Sequence, residues 1–382
     1  MTLVDESVLE QLRADADWSE ENRRLADSSL DALRDAGLLR LLVPARVGGD
    51  QLELVDMVDA VRSTALADGA ASWVLMVLTA HDWMMGSMSE EAQDEVYVDG
   101  PDTVIPGSLA PAGSSVEVDD GWRVTGRWPF ASGAIHGRWY LVGSIEHVTA
   151  EGARPRLVHV VLPRADVELD DTWYPIGLRG TGSGDVVAED VFVPNHRVID
   201  SGDLLGGRSP WSARHDTDLY KVPILPGLAT HVAASALGMA QAGLADAGER
   251  FGVQDDRYSA GAKADRPGLH LRMAESTAEL RTAELLIDDT VELLLTAARG
   301  ADSKPLRAKA KDQATYSIEL SRRAIARVAN GAGGRALFDN SRLQRCLRDV
   351  TMASQHAVAD IDTVGQAYGR TLLGQDPGRH PL

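Results

Sequence analysis

The stretch Trp128-Pro129-Phe130-Ala131-Ser132-Gly133-Ala134-Ile135-His136 interrupts a strand-like part of the sequence with a proline, a glycine, an isolated hydroxyl and an imidazole. Proline removes a backbone hydrogen-bond donor, and glycine permits torsion angles that other residues avoid. A packed core does not require this combination. We therefore expect the chain to leave its sheet here and to turn a polar side chain toward a bound molecule.

Hydrophobic residues alternate before and after this stretch, which is typical of strands. Four of them flank the hairpin turn Asp119-Asp120-Gly121: Val116, Val118, Trp122 and Val124. Further strands are predicted at residues 139–145, 157–162, 167–173 and 186–193. Short strands at this density are typical of a compact β-barrel or sandwich.

Helical spacing dominates the rest of the chain. Before the strands, leucines recur near the helical period at Leu25, Leu30, Leu33 and Leu38. After a loop rich in Gly, Ser and Pro, one apolar stripe comprises Leu280, Ala283, Ile287, Val291 and Leu294. We predict an α+β, mostly α protein with a helical domain at 1–108, a small β-barrel at 109–205 and a four-helix bundle at 206–382. The bundle is also expected to bury surface against other subunits.

Composition narrows the possible functions. The 382 residues include 57 acidic and 38 basic side chains, so the formal charge of −19 opposes nonspecific binding to nucleic acid or anionic membranes. The acidic beginning and the short apolar run at 73–80 predict a cytoplasmic protein. The single cysteine, Cys346, rules out an intrachain disulfide, and the histidine spacings do not indicate a zinc site.

Two further features could carry chemistry. The glycine-rich segment 177–184 precedes a predicted strand and is either a β connection or a loop that lies against a flat ligand. It does not match the usual dinucleotide-binding or P-loop patterns. Three histidines stand in suggestive contexts, His81, His136 and His356, and each is either a hydrogen-bonded structural residue or a catalytic one.

Together these segments resemble a known family. The order of helices, a β domain and helices again resembles the acyl-CoA dehydrogenase fold. The resemblance extends to the segments 128–133 and 177–183 and to Arg348-Asp349 in the last long helix. More narrowly, the segments 80–83 and 173–183 and the late His356 resemble the two-component flavin-dependent monooxygenases of that fold.

One departure from true dehydrogenases is informative. Many of them carry a glutamate base about nine residues after the Arg-Asp pair, whereas this chain has no carboxylate between Asp349 and Asp360. His356 stands nearly in the place of that base. The resemblance therefore favours delivery of oxygen over removal of hydride, although a base elsewhere in the fold stays open.

The resemblance implies an oxygenase component that receives reduced flavin, FMN or FAD, from a separate reductase. Dioxygen would form a C4a-hydroperoxyflavin that hydroxylates a small aromatic or heteroaromatic substrate, in a homotetramer. The resemblance makes His356 the base that deprotonates the substrate, and Ser132 and His81 the groups that hold the peroxide. The alternatives are an acyl-CoA dehydrogenase or oxidase with another base, and a noncatalytic flavin-binding protein.

The resemblance also implies a flavin cradle. Its predicted residues are Trp128, Phe130, Ser132, Arg179, Gly180, Thr181 and Ser183. Arg257 is the candidate for the flavin phosphate, and Gly333 and Gly334 are expected to contact the flavin of a neighbouring subunit. Structural alternatives are open: Ser132 as the cap of a turn, Trp128 in the barrel core, His136 as a structural residue, and Arg348 with Asp349 as an ion pair between helices.

Overall fold

The computed structural model describes residues 3–147, 155–253, 262–378, 380 and 382. Its first part is helical, as predicted. The helices are α1 (Glu6–Asn22), α2 (Asp27–Asp35), α3 (Leu54–Ala65), α4 (Gly69–Met85) and α5 (Glu90–Val96). Helix α4 is buried along almost its whole length, and its N-cap Asp68 accepts a hydrogen bond from the Ala71 amide. This buried helix carries His81.

The central part is one seven-stranded sheet. Its strands are β1 (Gly107–Val118), β2 (Gly121–Trp128), β3 (Trp139–Glu146), β4 (Leu157–Pro163), β5 (Glu168–Asp170), β6 (Asp185–Pro194) and β7 (Val198–Asp200). They lie in the order β5-β6-β2-β1-β3-β4-β7, with β1 and β3 parallel and the other neighbours antiparallel. The pairing of Val118 with Gly121 confirms the predicted hairpin turn.

Two strands differ from the prediction. Strand β5 ends at Asp170 and not at 173, because Thr172 bonds Asp185 and the Trp173 indole donates to the Leu178 carbonyl. These contacts turn the chain out of the sheet. Strand β7 was not predicted, since three residues are too short to show an alternating pattern.

Strands from both halves of the sheet bury side chains in a single cluster, so the sheet curves around its own core. Trp122, Trp128, Tyr140, Val160 and Val186 all belong to this cluster. It is separate from the helical core, which confirms a small β domain between two helical parts.

The last part is the predicted helical bundle. Its helices are α7 (Ile224–Val253), α8 (Pro267–Thr296), α9 (Lys304–Ala332), α10 (Arg342–Ala353) and α11 (Ile361–Leu372). A short helix, α6 (Ser201–Leu205), precedes the predicted bundle and packs mainly on β4 and β7. Helices α7 to α10 pack against one another, and the predicted stripe on α8 is buried. Within the described ranges, none of the helices combines the length and apolar character that crossing a membrane requires.

Helix α10 ties the bundle to the glycine-rich loop 177–184. Arg348 and Asp349 do not form the expected ion pair with each other. Arg348 pairs with Glu20 of α1 at 2.8 Å, while Asp349 Oδ1 accepts the Leu178 amide at 2.6 Å. Leu178 has a left-handed backbone (φ 52°), so this buried carboxylate fixes an unfavourable torsion at the start of the loop.

Candidate active site

Two loops meet beside helix α4 and place the predicted serine. The Gly133 amide donates to the Thr181 carbonyl at 2.8 Å, and the Ala131 amide donates to the Gly184 carbonyl at 3.1 Å. Gly133 adopts φ 74°, which only glycine accepts readily. The interrupted strand and the glycine-rich loop are therefore one unit, with Ser132 at its centre.

The Ser132 hydroxyl has two partners. The Trp73 indole Nε1 donates to its oxygen at 3.1 Å, and the Ser183 Oγ lies 2.7 Å away. Ser132 keeps only 3% of its surface exposed. Its hydroxyl is thus fixed by its partners and is more than the cap of a turn.

His356 contacts the same tryptophan. It follows α10, and its ring meets Trp73 edge-on, with 5.7 Å between ring centroids and an interplanar angle of 61°. His356 is exposed, yet protein atoms surround its ring and lower its pKa, so the imidazole is neutral at pH 7. We use the term recess for the site bordered by Trp73, Ser132 and His356. Ser132 and His356 therefore flank one indole.

The tautomer of His356 bears on its predicted role as a base. Its Nδ1 accepts the Val358 amide at 3.2 Å. A neutral ring that accepts at Nδ1 carries its proton on Nε2. In this conformation His356 offers the recess a hydrogen-bond donor, and it can take up a proton only by releasing Val358.

His81 has the opposite tautomer. Its Nδ1 lies 2.7 Å from the Ile105 carbonyl oxygen, which can only accept, so Nδ1 carries the proton. Burial lowers the pKa of His81 to about 4, and the neutral ring keeps a lone pair on Nε2. His81 is 4% exposed. Of the two histidines, it is His81 that has a ring nitrogen available to accept a proton.

An exposed apolar surface borders the unit of the two loops. Phe130 is 64% exposed and meets the Trp173 ring edge-on at 6.1 Å. Tyr174 and Ile176 in the neighbouring loop are 69% and 64% exposed. Phe130 has φ 66°, a strained conformation that is typical of functional sites when a large residue adopts it.

Three predicted cradle residues lie behind this surface. Trp128 is fully buried in the β core and donates to the Gly143 carbonyl, as its structural alternative required. Thr181 is also fully buried. A Cβ at Gly180 would lie 3.0 Å from the Ala70 and Ser19 side chains, so glycine here allows close packing against α4 and α1. The side chains of Trp128 and Thr181 do not reach the surface, and Gly180 is buried.

Among the described residues, none of the remaining candidates forms a hydrogen bond with Ser132, Trp73 or His356. Arg179 is half-buried and donates to the Pro175 carbonyl at 3.2 Å. Gly333 and Gly334 are exposed at the end of α9, so their predicted contact with another subunit stays a prediction. Arg257 lies outside the described residues.

His136 is held at the edge of the loops. Its Nε2 lies 3.1 Å from the Leu25 carbonyl oxygen, and its Nδ1 is 3.6 Å from Asp27. Both partners belong to the connection between α1 and α2 and the start of α2, which fits its structural alternative. His136 links the loop after Ser132 to the first helices.

Sequence reasoning missed Trp73, which joins Ser132 to His356. Its position carried a signal, because a large aromatic residue follows four small residues at 69–72 of α4. Trp73 also lies eight residues before His81, on a nearby face of the same helix. In the sequence it stands out only as part of an apolar run.

Known proteins resemble this chain in sequence and architecture. The family model "Acyl-CoA dehydrogenase, C-terminal domain" matches residues 230–361. A pigment production hydroxylase of Rhodococcus sp. is 34% identical over 94% of this chain and 92% of its own length. The oxygenase component of an FADH2-dependent resorcinol hydroxylase of Rhizobium sp. is 31% identical, over 97% of this chain and 93% of its own length.

A solved structure is similarly close. The crystal structure of 3-HSA hydroxylase from Rhodococcus sp. RHA1 superposes with a TM-score of 0.91 at 31% identity. The superposition covers 97% of this chain and 95% of that one.

Proposed function

This chain belongs to the oxygenase components of flavin-dependent hydroxylases, which share the acyl-CoA dehydrogenase fold, and from that premise we propose that its substrate is a small phenol held between Ser132 and His356. The enzyme uses reduced flavin and dioxygen, and a separate reductase supplies the flavin. The observation that carries the proposal is the Trp73 indole, which contacts both the serine hydroxyl and the imidazole.

The residues around the recess fit a flavin. A flat, mostly apolar ring system needs an apolar surface and a few polar groups at its edge. Phe130, Tyr174 and Ile176 supply the exposed apolar surface, and Ser132 supplies a hydroxyl beside it. When bound, reduced flavin supplies the activation of dioxygen.

The chain's own residues would then hold and orient the reactants. We assign Ser132 to the flavin edge, where its hydroxyl is fixed by Trp73 and Ser183. We assign His356 to the substrate oxygen, to which its Nε2–H donates; a donor at that atom stabilises the phenolate form of a phenol. Burial of Ser132 and Trp73 limits the access of water to this side of the recess.

The tautomers favour His81 over His356 as the acceptor of a proton, which differs from the roles expected from the sequence. His81 presents a lone pair at Nε2, so it suits the acceptance of a proton. His356 presents a donor as long as Nδ1 holds the Val358 amide. Neither ring carries a charge at neutral pH, because burial lowers the pKa of both.

The end of α10 does not supply the carboxylate base that dehydrogenation of an acyl-CoA would need there. The segment after Asp349 has no carboxylate before Asp360. Asp349 itself is buried and bound to the Leu178 amide. The imidazole of His356 is the titratable group that this segment offers to the recess.

We also propose that the protein is a homotetramer. Large apolar side chains remain exposed at the ends of the bundle in the single chain. They are Leu337, Phe338, Leu372 and Leu373, each more than half exposed. Their burial between subunits would place Gly333 and Gly334 at an interface, as predicted.

Turnover with defined substrates tests the proposal. The protein is mixed with a flavin reductase, NADH, FMN or FAD, and a panel of phenols that begins with resorcinol, on which the Rhizobium relative acts. We expect a hydroxylated product that requires the protein, and a strongly reduced yield with Ser132→Ala. Ser144→Ala is a matched control: this buried hydroxyl has no hydrogen-bond partner among the described residues. Absence of product from every phenol would contradict the proposed substrate class.

A further inference from the structure

Three hydroxyl groups, those of Ser132, Ser183 and Thr181, form a hydrogen-bonded row beside the recess. We call this row the hydroxyl relay. Ser132 Oγ lies 2.7 Å from Ser183 Oγ, which lies 2.6 Å from Thr181 Oγ1. Thr181 Oγ1 lies 2.9 Å from the Leu178 carbonyl oxygen. All three side chains are at least 97% buried, so their protons have few other partners.

The carbonyl at the end of the row fixes the direction of every proton. A carbonyl oxygen can only accept, so Thr181 donates its single hydroxyl proton to Leu178. Thr181 therefore has no proton left for its neighbour, and Ser183 must donate to Thr181. By the same reasoning Ser132 donates to Ser183.

The same direction leaves Ser132 as an acceptor toward the recess. Its proton is committed to Ser183, and one of its two lone pairs takes the Trp73 indole N–H. What remains is one free lone pair. A ligand atom that meets this oxygen is held only if it carries a hydrogen.

The backbone beneath the row is rigid. Leu178 donates its amide to Asp349, and its carbonyl also accepts the Thr181 amide at 3.2 Å and the Trp173 indole at 3.0 Å. The Gly133 amide holds the Thr181 carbonyl. The acceptor at the end of the relay is therefore fixed in position, and the direction of the relay with it.

We propose that Thr181 and Ser183 are positioning residues that make Ser132 a hydrogen-bond acceptor, and that this selects reduced over oxidised flavin. Reduced flavin has a hydrogen on N5, whereas oxidised flavin has a lone pair there. An acceptor hydroxyl bonds the first and repels the second. The inference rests on the proposed placement of Ser132 at the flavin edge.

Equilibrium binding tests the relay independently of turnover. Dissociation constants of oxidised flavin in air and of reduced flavin under anaerobic conditions are measured by fluorescence or absorbance titration. Wild-type protein is expected to bind reduced flavin more tightly. Ser183→Ala and Thr181→Val each free the Ser132 proton. The dissociation constant of oxidised flavin divided by that of reduced flavin should therefore fall about tenfold, the effect of exchanging one hydrogen bond. The midpoint potential of bound flavin should fall by about 30 mV for that tenfold change.

Two further variants separate proton direction from packing. Thr181→Ser keeps the hydroxyl and should keep the wild-type ratio. Ser144→Ala removes a buried hydroxyl of the same β domain outside the relay and should also leave the ratio unchanged. Because a ratio is measured, partial loss of folded protein does not alter the result.

The outcomes distinguish the relay from the proposed function. An unchanged ratio in both Ser183→Ala and Thr181→Val, or an equal fall in Ser144→Ala, overturns the relay. Wild-type protein that binds both flavin forms equally and still hydroxylates a phenol overturns the relay and leaves the function intact. Wild-type protein that binds neither form overturns the placement of flavin at Ser132.

Discussion

Replacing His356 by Asn and by Gln separates its two ring nitrogens. The amide oxygen of Asn occupies the place of Nδ1 and can still accept the Val358 amide, but the donor at Nε2 is lost. Gln reaches the place of Nε2 with an N–H donor, but loses the acceptor near Val358. The Asn variant should therefore fold normally and turn over poorly, while the Gln variant should be less stable and more active.

The magnitudes follow from the bonds that are removed. A hydrogen bond to a charged oxygen contributes about 1.5–3 kcal/mol. Its loss in His356→Asn should lower kcat/KM by roughly 10- to 150-fold, since about 1.4 kcal/mol is a factor of ten. The acceptor lost in His356→Gln is a cap for a short turn, and the free energy of unfolding should fall by about 1 kcal/mol.

Initial rates of product formation with saturating reduced flavin give kcat/KM, and denaturant unfolding gives stability. The assigned donor role predicts that Gln retains most of the activity that Asn loses. Equal, large losses of kcat/KM in both variants would refute it, because Gln cannot accept a proton as imidazole does. That result would restore His356 to the role of base.

Three other predictions address neighbouring residues. Trp73→Phe keeps an aromatic ring against His356 but removes the N–H that donates to Ser132. The value of kcat/KM should therefore fall roughly two- to tenfold. An unchanged value would mean that this hydrogen bond does not orient Ser132. In the pH profile of kcat/KM, the loss of activity on the acidic side should have its midpoint below pH 6.5. The reason is that burial lowers the pKa of His81 and His356, and activity is lost only as they protonate. A midpoint above pH 7 would exclude both histidines as the titrating group. His231 is buried without a hydrogen-bond partner among the described residues, and burial lowers its pKa to about 3. His231→Leu should therefore raise the free energy of unfolding above that of the wild type by about 1–3 kcal/mol at pH 7. The difference should be about 1.3 kcal/mol larger at pH 5.5, because the unfolded wild type takes up a proton there that the folded protein does not. A difference that does not grow between pH 7 and 5.5 would contradict this.

The order of helices and strands was predictable because period and turn residues are local properties. The hairpin at Asp119-Asp120 and the buried stripe of α8 followed from spacing alone. The alternation of residues along β2 also predicted that Trp128 is buried, because Trp128 shares the inward face of this strand with Trp122 and Val124. Its place in the cradle was expected from resemblance, although alternation favoured the core.

The chemistry of the site depended on partners far away in sequence. Asp349 finds the Leu178 amide and Arg348 finds Glu20, which spacing within one helix cannot indicate. The two histidine tautomers are set by the Ile105 carbonyl and by the amide of Val358. The sequence points to serine and histidine as candidate groups, but it does not show which nitrogen carries the proton.

This protein inserts an oxygen atom from dioxygen into an aromatic substrate. The most direct measurement is mass spectrometry of the product formed under ¹⁸O2 with enzyme, reduced flavin and a phenol from the panel. One ¹⁸O atom per hydroxylated product is predicted, with none incorporated from H2¹⁸O. Product oxygen derived from water, or bound flavin reduced anaerobically by an acyl-CoA with no hydroxylated product in air, would contradict this reaction.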